Sequence, residues 1–306
     1  MLGWPLATFV RHRCDYGLLM RTIVVGVDGS PEGNSALRWA QALAGPEDTV
    51  KAVFAWTYPV DAGMDMDVGF ATSAIPYQDL EDHARRLLDS VLEAVDPDGA
   101  DRTAELVMAV SASAGLLDAA QDADLLVVGT RRHSKLERFF GSVAAQCAQY
   151  SPCPFVAVPV AAPLGGDAIA VAFDGSDSSA SALRWSEGVA SRRGLSLRVI
   201  GVWEHKSWMG QPLLADDPVN PADRALEGIS AAVHSVLGDS AVPIEYVPIH
   251  DTDKVAPSLV EASEGTVLLA MGSRGRGGFK GLMLGSVSQR CLESSPIPVA
   301  VLRSPY

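Results

Sequence analysis

Positive charge is scarce in this sequence, which contains 24 Lys and Arg residues against 37 Asp and Glu residues. The formal net charge is therefore −13 at pH 7 over 306 residues. Non-specific binding to nucleic acid needs a basic surface that neutralises phosphates. We therefore expect no nucleic acid among the partners of this protein.

Long apolar runs, cysteine and histidine are also scarce. No apolar run approaches the roughly 18 residues of a membrane-spanning helix, so we expect no membrane contact. The four cysteines and six histidines show no metal-ligand spacing. These features favour reduced, buried thiols in a cytoplasmic protein without a protein-held metal. No G-x-S-x-G elbow, zinc helix or paired-acid signature is present, so we assign no catalytic residue.

The chain contains an internal duplication. The segment RTIVVGVDGSPEGNSALRWA (21–40) matches DAIAVAFDGSDSSASALRWS (167–186), and SPCPFVAV (151–158) matches SPIPVAVL (295–302). Both copies carry the same strand, Asp-Gly-Ser turn and SALRW string. The length also suits two domains of ordinary size.

The duplication sets the expected domain boundaries. We predict a flexible extension over residues 1–20, a first domain over 21–160, a linker over 161–166 and a second domain over 167–306. The extension differs in character from the rest of the chain, and Met20 is our hypothesis for the natural first residue.

Each repeat alternates short apolar strands with helical stretches. In the first repeat the pattern predicts strands near 22–27, 50–56, 104–109, 124–128 and 154–158, and helices near 31–44, 77–95, 113–121 and 141–150. This alternation predicts a parallel sheet with helices on both faces. The expected fold class is α/β, with two tandem five-stranded parallel-sheet sandwiches of Rossmann-like type. Such sheets bind ligands at the carboxyl ends of their strands.

A glycine-rich loop follows the fourth strand of the second repeat, in AMGSRGRGGFKGLMLGSV (270–287). Glycine lets backbone N–H groups approach an anion, and the N–H groups at a helix start are free to bind it. A glycine-rich loop by itself is as often an ordinary surface loop. The stretch contains no G-x-x-x-x-G-K-[ST], and it comes too late in its repeat for a dinucleotide fingerprint.

The spacing of Gly272, two residues, Gly275, nine residues and Gly285-Ser286 resembles the ATP-binding signature of the universal stress protein family. The resemblance covers the chain from about residue 21 as a tandem pair of family domains, whose fold is adenine nucleotide alpha hydrolase-like. It implies a cytoplasmic, ATP-binding protein that acts as a nucleotide-dependent sensor or regulator in the stress response. It also implies that the final strands, 154–160 and 298–304, pair within one chain, and homodimerisation is compatible with this. The regulatory protein partner is not indicated.

The resemblance also assigns site residues by position. In the family, the Asp after the first strand and the adjoining backbone hold adenine and ribose, while the loop holds ribose and phosphates. In the second repeat the matching residues are Ala172, Phe173, Asp174, Val202, Met271, Gly272, Arg274, Gly275, Gly285, Ser286 and Val287. In the first repeat they are Val27, Asp28, Ala55, Gly129, Arg131, Gly141, Ser142 and Val143. Without the family pattern, each Asp-Gly-Ser would be read as a simple turn.

The first repeat departs from the family signature. It reads GTRRHSKLERFFGS, with Arg132 at the second glycine position and only eight residues before Gly141. If that position requires a left-handed backbone, arginine costs about 1–2 kcal/mol. The charges of Arg131 and Arg132 would offset part of this loss at a phosphate. We predict a sound site in the second repeat and a weakened or altered one in the first.

Two other function classes stay open at this point. One is a slow ATPase or a related hydrolase of the same fold, although VDGSPEG and FDGSDSS lack the SGGxDS loop of its pyrophosphatase branch. The other is a nucleotide-free dimerisation scaffold. A magnesium ion is expected only as part of the bound nucleotide, and the acidic stretch Asp61–Asp67 is interpreted as a solvated loop.

Overall fold

The computed structural model describes residues 21–57, 76–97, 100–130, 141–160, 162–203, 207–208, 211–212, 220–250, 254–276 and 283–304. The N-terminal extension, the acidic stretch Asp61–Asp67 and the pair Arg131 and Arg132 lie outside these residues. The predictions made for them therefore stay predictions.

Strands and helices alternate along both repeats, as the pattern predicted. The elements of the first half are β1 (Thr22–Gly26), α1 (Pro31–Leu43), β2 (Thr49–Trp56), α2 (Tyr77–Ala94), β3 (Asp101–Met108), α3 (Ala112–Ala119), β4 (Leu125–Thr130), α4 (Ser142–Tyr150) and β5 (Phe155–Pro159). Those of the second half are β6 (Ala168–Ala172), α5 (Asp177–Arg193), β7 (Ser196–Trp203), β8 (Ser207–Trp208), β9 (Gln211–Pro212), α6 (Pro221–Leu237), β10 (Ile244–His250), α7 (Val255–Ala262), β11 (Leu269–Gly272), α8 (Ser286–Ser294) and β12 (Val299–Leu302). The short β8–β9 ribbon was not predicted.

Among the described residues, ten strands form one sheet in the order β10-β7-β6-β11-β12-β5-β4-β1-β2-β3. Within each half, every pairing in this ten-stranded sheet is parallel, whereas the separate β8–β9 ribbon is antiparallel. The α/β fold class is therefore confirmed. The strand order reverses beside β1 in the first half and beside β6 in the second. These are the switch points at which open α/β sheets bind their ligands.

The two halves meet at β5 and β12, which pair antiparallel through Ala157 with Val299, Val156 with Ala300 and Phe155 with Val301. The predicted pairing of the final strands is thus present. Because these two strands run in opposite directions, the carboxyl edges of the two halves lie on opposite sides of the sheet.

Helices cover both faces of the sheet, and the central strands are buried accordingly, whereas the edge strands β3 and β10 are partly exposed. One core cluster includes Trp39 and Leu37 of α1 together with Leu183 of α5 and Ile229 of α6, so it is continuous across both halves. The other face packs β strands against residues such as Leu116 of α3. The halves therefore share an apolar core as well as a sheet.

The first helix of each half begins after a serine N-cap. The Ser30 hydroxyl accepts a hydrogen bond from the Gly33 N–H at 3.1 Å, and Pro31 occupies the first turn. Ser176 caps α5 in the same way, accepting from the Ser179 N–H at 3.3 Å. These caps satisfy N–H groups that a helix start leaves without an intrahelical partner.

The glycines at the ends of β4 and β11 allow these helix starts to touch the sheet. A Cβ on Gly129 would overlap the backbone carbonyl of Glu32, and a Cβ on Gly272 would lie 2.8 Å from the carbonyl carbon of Ser178. Both glycines are therefore required by packing within the fold.

We expect Gly129→Ala to lower the free energy of unfolding by about 1–3 kcal/mol, because the helix backbone must move away from the strand. Gly165→Ala is the control, since a Cβ there meets no atom within 4 Å and Gly165 needs no unusual backbone angle. The control should stay within about 0.5 kcal/mol of the parent. Equal midpoints for the two variants in urea denaturation would show that the close approach does not matter.

Candidate functional site

The predicted residues of the second half converge on the carboxyl edge of its strands. Ala172 ends β6 and pairs with Met271 in β11. Phe173 follows and is buried, and its N–H donates to the Ile200 carbonyl of β7 at 2.9 Å. Val202 lies one residue before the end of β7 and is partly exposed. At this edge Ala172 and Val202 are partly exposed, whereas Phe173 and Met271 are buried.

Asp174 joins the start of α5 to the glycine-rich loop. Its Oδ1 accepts hydrogen bonds from the Ser176 N–H at 2.9 Å and the Ser176 hydroxyl at 2.6 Å. Its Oδ2 accepts from the Arg276 N–H at 3.1 Å, across 102 positions of sequence. A Cβ on Gly275 would lie 2.8 Å from the same Oδ2, so the loop can come this close only with glycine there. Asp174 thus fixes the loop as well as the turn.

Two buried hydroxyls hold the loop from below, and sequence reasoning missed both. The Ser178 hydroxyl donates to the Arg274 carbonyl, and the Ser288 hydroxyl donates to the Gly272 carbonyl at 2.8 Å. Both serines are at most 5% exposed. The serine-rich sequence SDSSAS at the start of α5 could have indicated the Ser178 hydroxyl, because the first repeat has SPEGNS at the equivalent positions.

The helix after the loop begins without a side-chain cap. Gly285 is its N-cap, and no side chain among the described residues caps it. Ser286 is exposed in the first turn, and Val287 is partly buried against the core. The Gly285 N–H donates to the Ser273 carbonyl at 2.7 Å, which closes the described end of the loop. The first N–H groups of α8 remain available to an anion, since helix starts leave them without intrahelical partners.

The first half repeats this scaffold with fewer described contacts. Val27 is buried, Asp28 is exposed, and Asp28 Oδ1 accepts from the Ser30 N–H at 3.0 Å. The positions of the other predicted residues agree with the repeat, and no side chain among the described residues caps α4; these residues are Ala55, Gly129, Gly141, Ser142 and Val143. The loop that Asp28 would face falls outside the described residues. The hydroxyl partners of the second-half loop are replaced here by Glu32 and Ala144.

The described cysteines are not suited to nucleophilic chemistry. Burial raises the pKa of Cys147, Cys153 and Cys291 from 9.0 to about 12 each. The thiolate is the reactive form, so these side chains stay protonated at neutral pH. Among the described residues, no group of His, Cys, Asp and Glu is arranged to hold a metal ion.

Comparison with known proteins agrees with this geometry. The model of the universal stress protein family matches residues 20–159 and again residues 167–303. The chain belongs to the universal stress protein family. Each half is one family domain by this match. In the part of the chain that the structure describes, no helix is long and apolar enough to cross a membrane.

Curated relatives extend over almost the full chain. A universal stress protein of Mycobacterium tuberculosis strain H37Rv is 29% identical over 304 residues, covering 92% of this chain and 96% of the relative. One of Mycolicibacterium smegmatis is 29% identical over 316 residues, covering 96% and 99%. The tandem arrangement is therefore shared with relatives of similar length.

Solved structures support the fold. A universal stress protein from Archaeoglobus fulgidus matches with a TM-score of 0.68 and 17% identity, covering 94% of this chain and 99% of that one. A universal stress protein described as putative, from Pseudomonas aeruginosa, matches with a TM-score of 0.57 and 17% identity, covering 93% of each chain. At this identity the likeness concerns the fold alone.

The raised pKa values predict slow thiol chemistry in the folded protein. The Cys14→Ser variant contains only Cys147, Cys153 and Cys291. At pH 8 these thiols should react with a disulfide reagent at least about 100-fold more slowly in the folded protein than in denaturant, because each unit by which the pKa rises cuts the thiolate fraction tenfold. Absorbance of the released chromophore measures the rate. Fast labelling of the folded variant would contradict the burial argument.

The same shifts predict a pH dependence of stability. The unfolded thiols ionise near 9.0 and the folded ones near 12. The unfolded state therefore loses its thiol protons first as the pH rises. The contribution of these thiols to stability should be complete below about pH 9 and lost between about pH 9 and 12. The measurement is the urea denaturation midpoint across this pH range, for the parent and for the double variant Cys147→Ala/Cys291→Ala. If the midpoint of the parent falls no more steeply with pH than that of the variant, the prediction is refuted.

Proposed function

We propose that this protein binds ATP, with magnesium carried by the nucleotide, at the carboxyl edge of its second half. The observation that carries the proposal is the loop held between Asp174 and two buried serine hydroxyls, leading to the uncapped start of α8. These bonds fix the described start of the loop at Gly272, Arg274 and Arg276, and a phosphate chain needs backbone N–H groups that are held in place.

The residues of this edge fit the parts of a nucleotide. Ala172 and Val202 supply an apolar surface for the base, with the backbone of Phe173 and the Asp174 carboxylate beside it for the ribose. In this proposal the N–H groups at the start of α8 and the Ser286 hydroxyl donate to the phosphates. Arg274 and Arg276 add positive charge in a chain of net charge −13, which favours an anionic ligand at this loop over other parts of the surface.

The proposed role is that of a sensor or regulator in the stress response, acting through a nucleotide-bound state. The three described cysteines are protonated, and the sequence contains no nucleophile paired with a base, so binding is favoured over catalysis. A slow ATPase and a nucleotide-free scaffold are the competing outcomes. A cytoplasmic location and homodimerisation through the remaining surface belong to the same proposal.

Nucleotide content tests the proposal directly. Freshly purified protein, denatured and analysed by anion-exchange chromatography, should release about one ATP per chain. Release of ADP, together with phosphate production on incubation with ATP and magnesium, would support the ATPase. No nucleotide, and none taken up from added ATP and magnesium, would support the scaffold.

Matched variants locate the site. Ser286→Ala should weaken ATP binding roughly threefold to tenfold, since a lost hydrogen bond costs about 0.5–1.5 kcal/mol. Asp174→Asn should weaken it by a similar or larger factor because the loop loses its anionic anchor. Ser142→Ala and Asp28→Asn are the controls in the first half. Titration calorimetry compares the ATP affinity of the four variants, and equal losses of affinity in both halves would contradict a site confined to the second half.

Gly272→Ala is unsuitable as a test of ATP binding, because its methyl group would meet Ser178.

A further inference from the structure

Two carbonyl groups at the start of the glycine-rich loop are held by buried serines. The Ser288 hydroxyl donates to the Gly272 carbonyl at 2.8 Å, and the Ser178 hydroxyl donates to the Arg274 carbonyl. In a trans peptide the C=O and N–H bonds lie in one plane and point in opposite directions. Each serine therefore also fixes the direction of the N–H group of the residue that follows the carbonyl.

The peptide between Gly272 and Ser273 follows this geometry. Its carbonyl group turns toward Ser288 in α8, while its N–H donates to the Leu302 carbonyl of β12 at 2.6 Å. Ser273 is 2% exposed, which agrees with a peptide enclosed by the fold. This N–H group is used within the protein and is not open to a ligand.

The peptide between Arg274 and Gly275 differs in this respect. Its carbonyl group turns toward Ser178 at the start of α5, so the Gly275 N–H points away from that helix. Among the described residues this N–H has no hydrogen-bond partner, and Gly275 is exposed. A Cβ on Gly285 would lie 3.9 Å from the Gly275 nitrogen. The Gly275 N–H group therefore lies beside the N-cap of α8, whose first N–H groups have no intrahelical partners.

The first half has no hydroxyl at the position of Ser178. The equivalent residue is Glu32, and each of the two backbones lies against the glycine near the end of β4 or β11. A carboxylate accepts hydrogen bonds but cannot donate one to a carbonyl group. Glu32 therefore cannot hold a loop carbonyl as Ser178 does, and the halves differ here in addition to their glycine spacing.

We propose that Ser178 is a positioning residue for phosphate binding, because its hydroxyl turns the Gly275 N–H toward the start of α8. The Gly275 N–H and the first N–H groups of α8 then form one cluster of donors, and clusters of backbone N–H groups bind phosphate oxygens. Ser178 acts through this peptide and does not touch the nucleotide. The inference rests on the proposed function for the identity of the ligand.

Titration calorimetry with ATP and magnesium tests this role. Ser178→Ala should weaken binding about tenfold, because the peptide loses the bond that fixes it. Ser181→Ala is the matched control, since the Ser181 hydroxyl is also buried in α5 but donates to the Asp177 carbonyl of the same helix at 3.0 Å. The control should keep the affinity of the parent, and equal losses in the two variants would contradict the proposal.

A third variant separates peptide orientation from general anchoring of the loop. Ser288→Ala removes the same kind of bond from the loop, but the N–H of the peptide that it frees already donates to Leu302. It should therefore weaken ATP binding by a clearly smaller factor than Ser178→Ala does. Equal losses of affinity in these two variants would show that the direction of the Gly275 N–H does not matter.

NMR spectroscopy observes the peptide itself. Without ligand, the carbonyl carbon resonance of Arg274 should move upfield in Ser178→Ala and stay in place in Ser181→Ala, because a hydrogen bond to a carbonyl oxygen deshields its carbon. In the parent, ATP with magnesium should move the Gly275 amide proton downfield as it donates to a phosphate. An unmoved Arg274 resonance in Ser178→Ala, or a Gly275 amide proton that does not respond to ATP, would overturn the proposal.

The outcomes distinguish this inference from the proposed function. If the parent binds no ATP, the proposed function fails and the role of Ser178 fails with it. If the parent binds ATP and Ser178→Ala binds it equally well, only the role of Ser178 fails. The response of the Gly275 amide proton in the parent needs no variant, so it decides the matter even if Ser178→Ala does not fold.

Discussion

The antiparallel pairing of β5 with β12 is the contact on which the rest of the architecture depends. Both strands are buried along their whole length, and neither could end a sheet without exposing apolar side chains and unpaired backbone groups. Their pairing removes two edges and creates one core from two copies. It also places the two carboxyl edges on opposite sides, so each candidate site is built from the residues of its own half.

Duplication then allows the halves to diverge at those edges while the sheet stays intact. The second half gained hydroxyls beneath its loop, at Ser178 and Ser288, where the first half has Glu32 and Ala144. The first half has glycines at positions 26 and 115, which admit α3 to the strand ends. These differences lie at the switch point where open α/β sheets bind their ligands.

The glycines of the family signature have different physical roles. Gly272 is needed because Ser178 of α5 lies against it, and Gly275 because the Asp174 carboxylate does. A Cβ on Gly285 would meet its nearest neighbour only at 3.4 Å, so packing does not require glycine there. Gly285 instead leaves the start of α8 without a side-chain cap from the described residues. Part of the signature thus reflects close packing beneath the loop, and part reflects the surface offered to a ligand.

Local and repeated features of the chain were predictable from sequence. The alternation of strands and helices and the Ser30 cap follow from periodicity and capping chemistry, and the meeting of the final strands was implied by the family resemblance. The bond between Asp174 and the Arg276 N–H was not predictable, because it joins groups 102 positions apart through loop geometry. The packing of Leu116 over Gly26 was equally hidden, since it depends on how closely a helix approaches a strand. Sequence by itself therefore determined the fold and the edge that carries the candidate site. Only tertiary structure decided how the two halves differ there, because distances between non-neighbouring side chains exist only once the chain is folded.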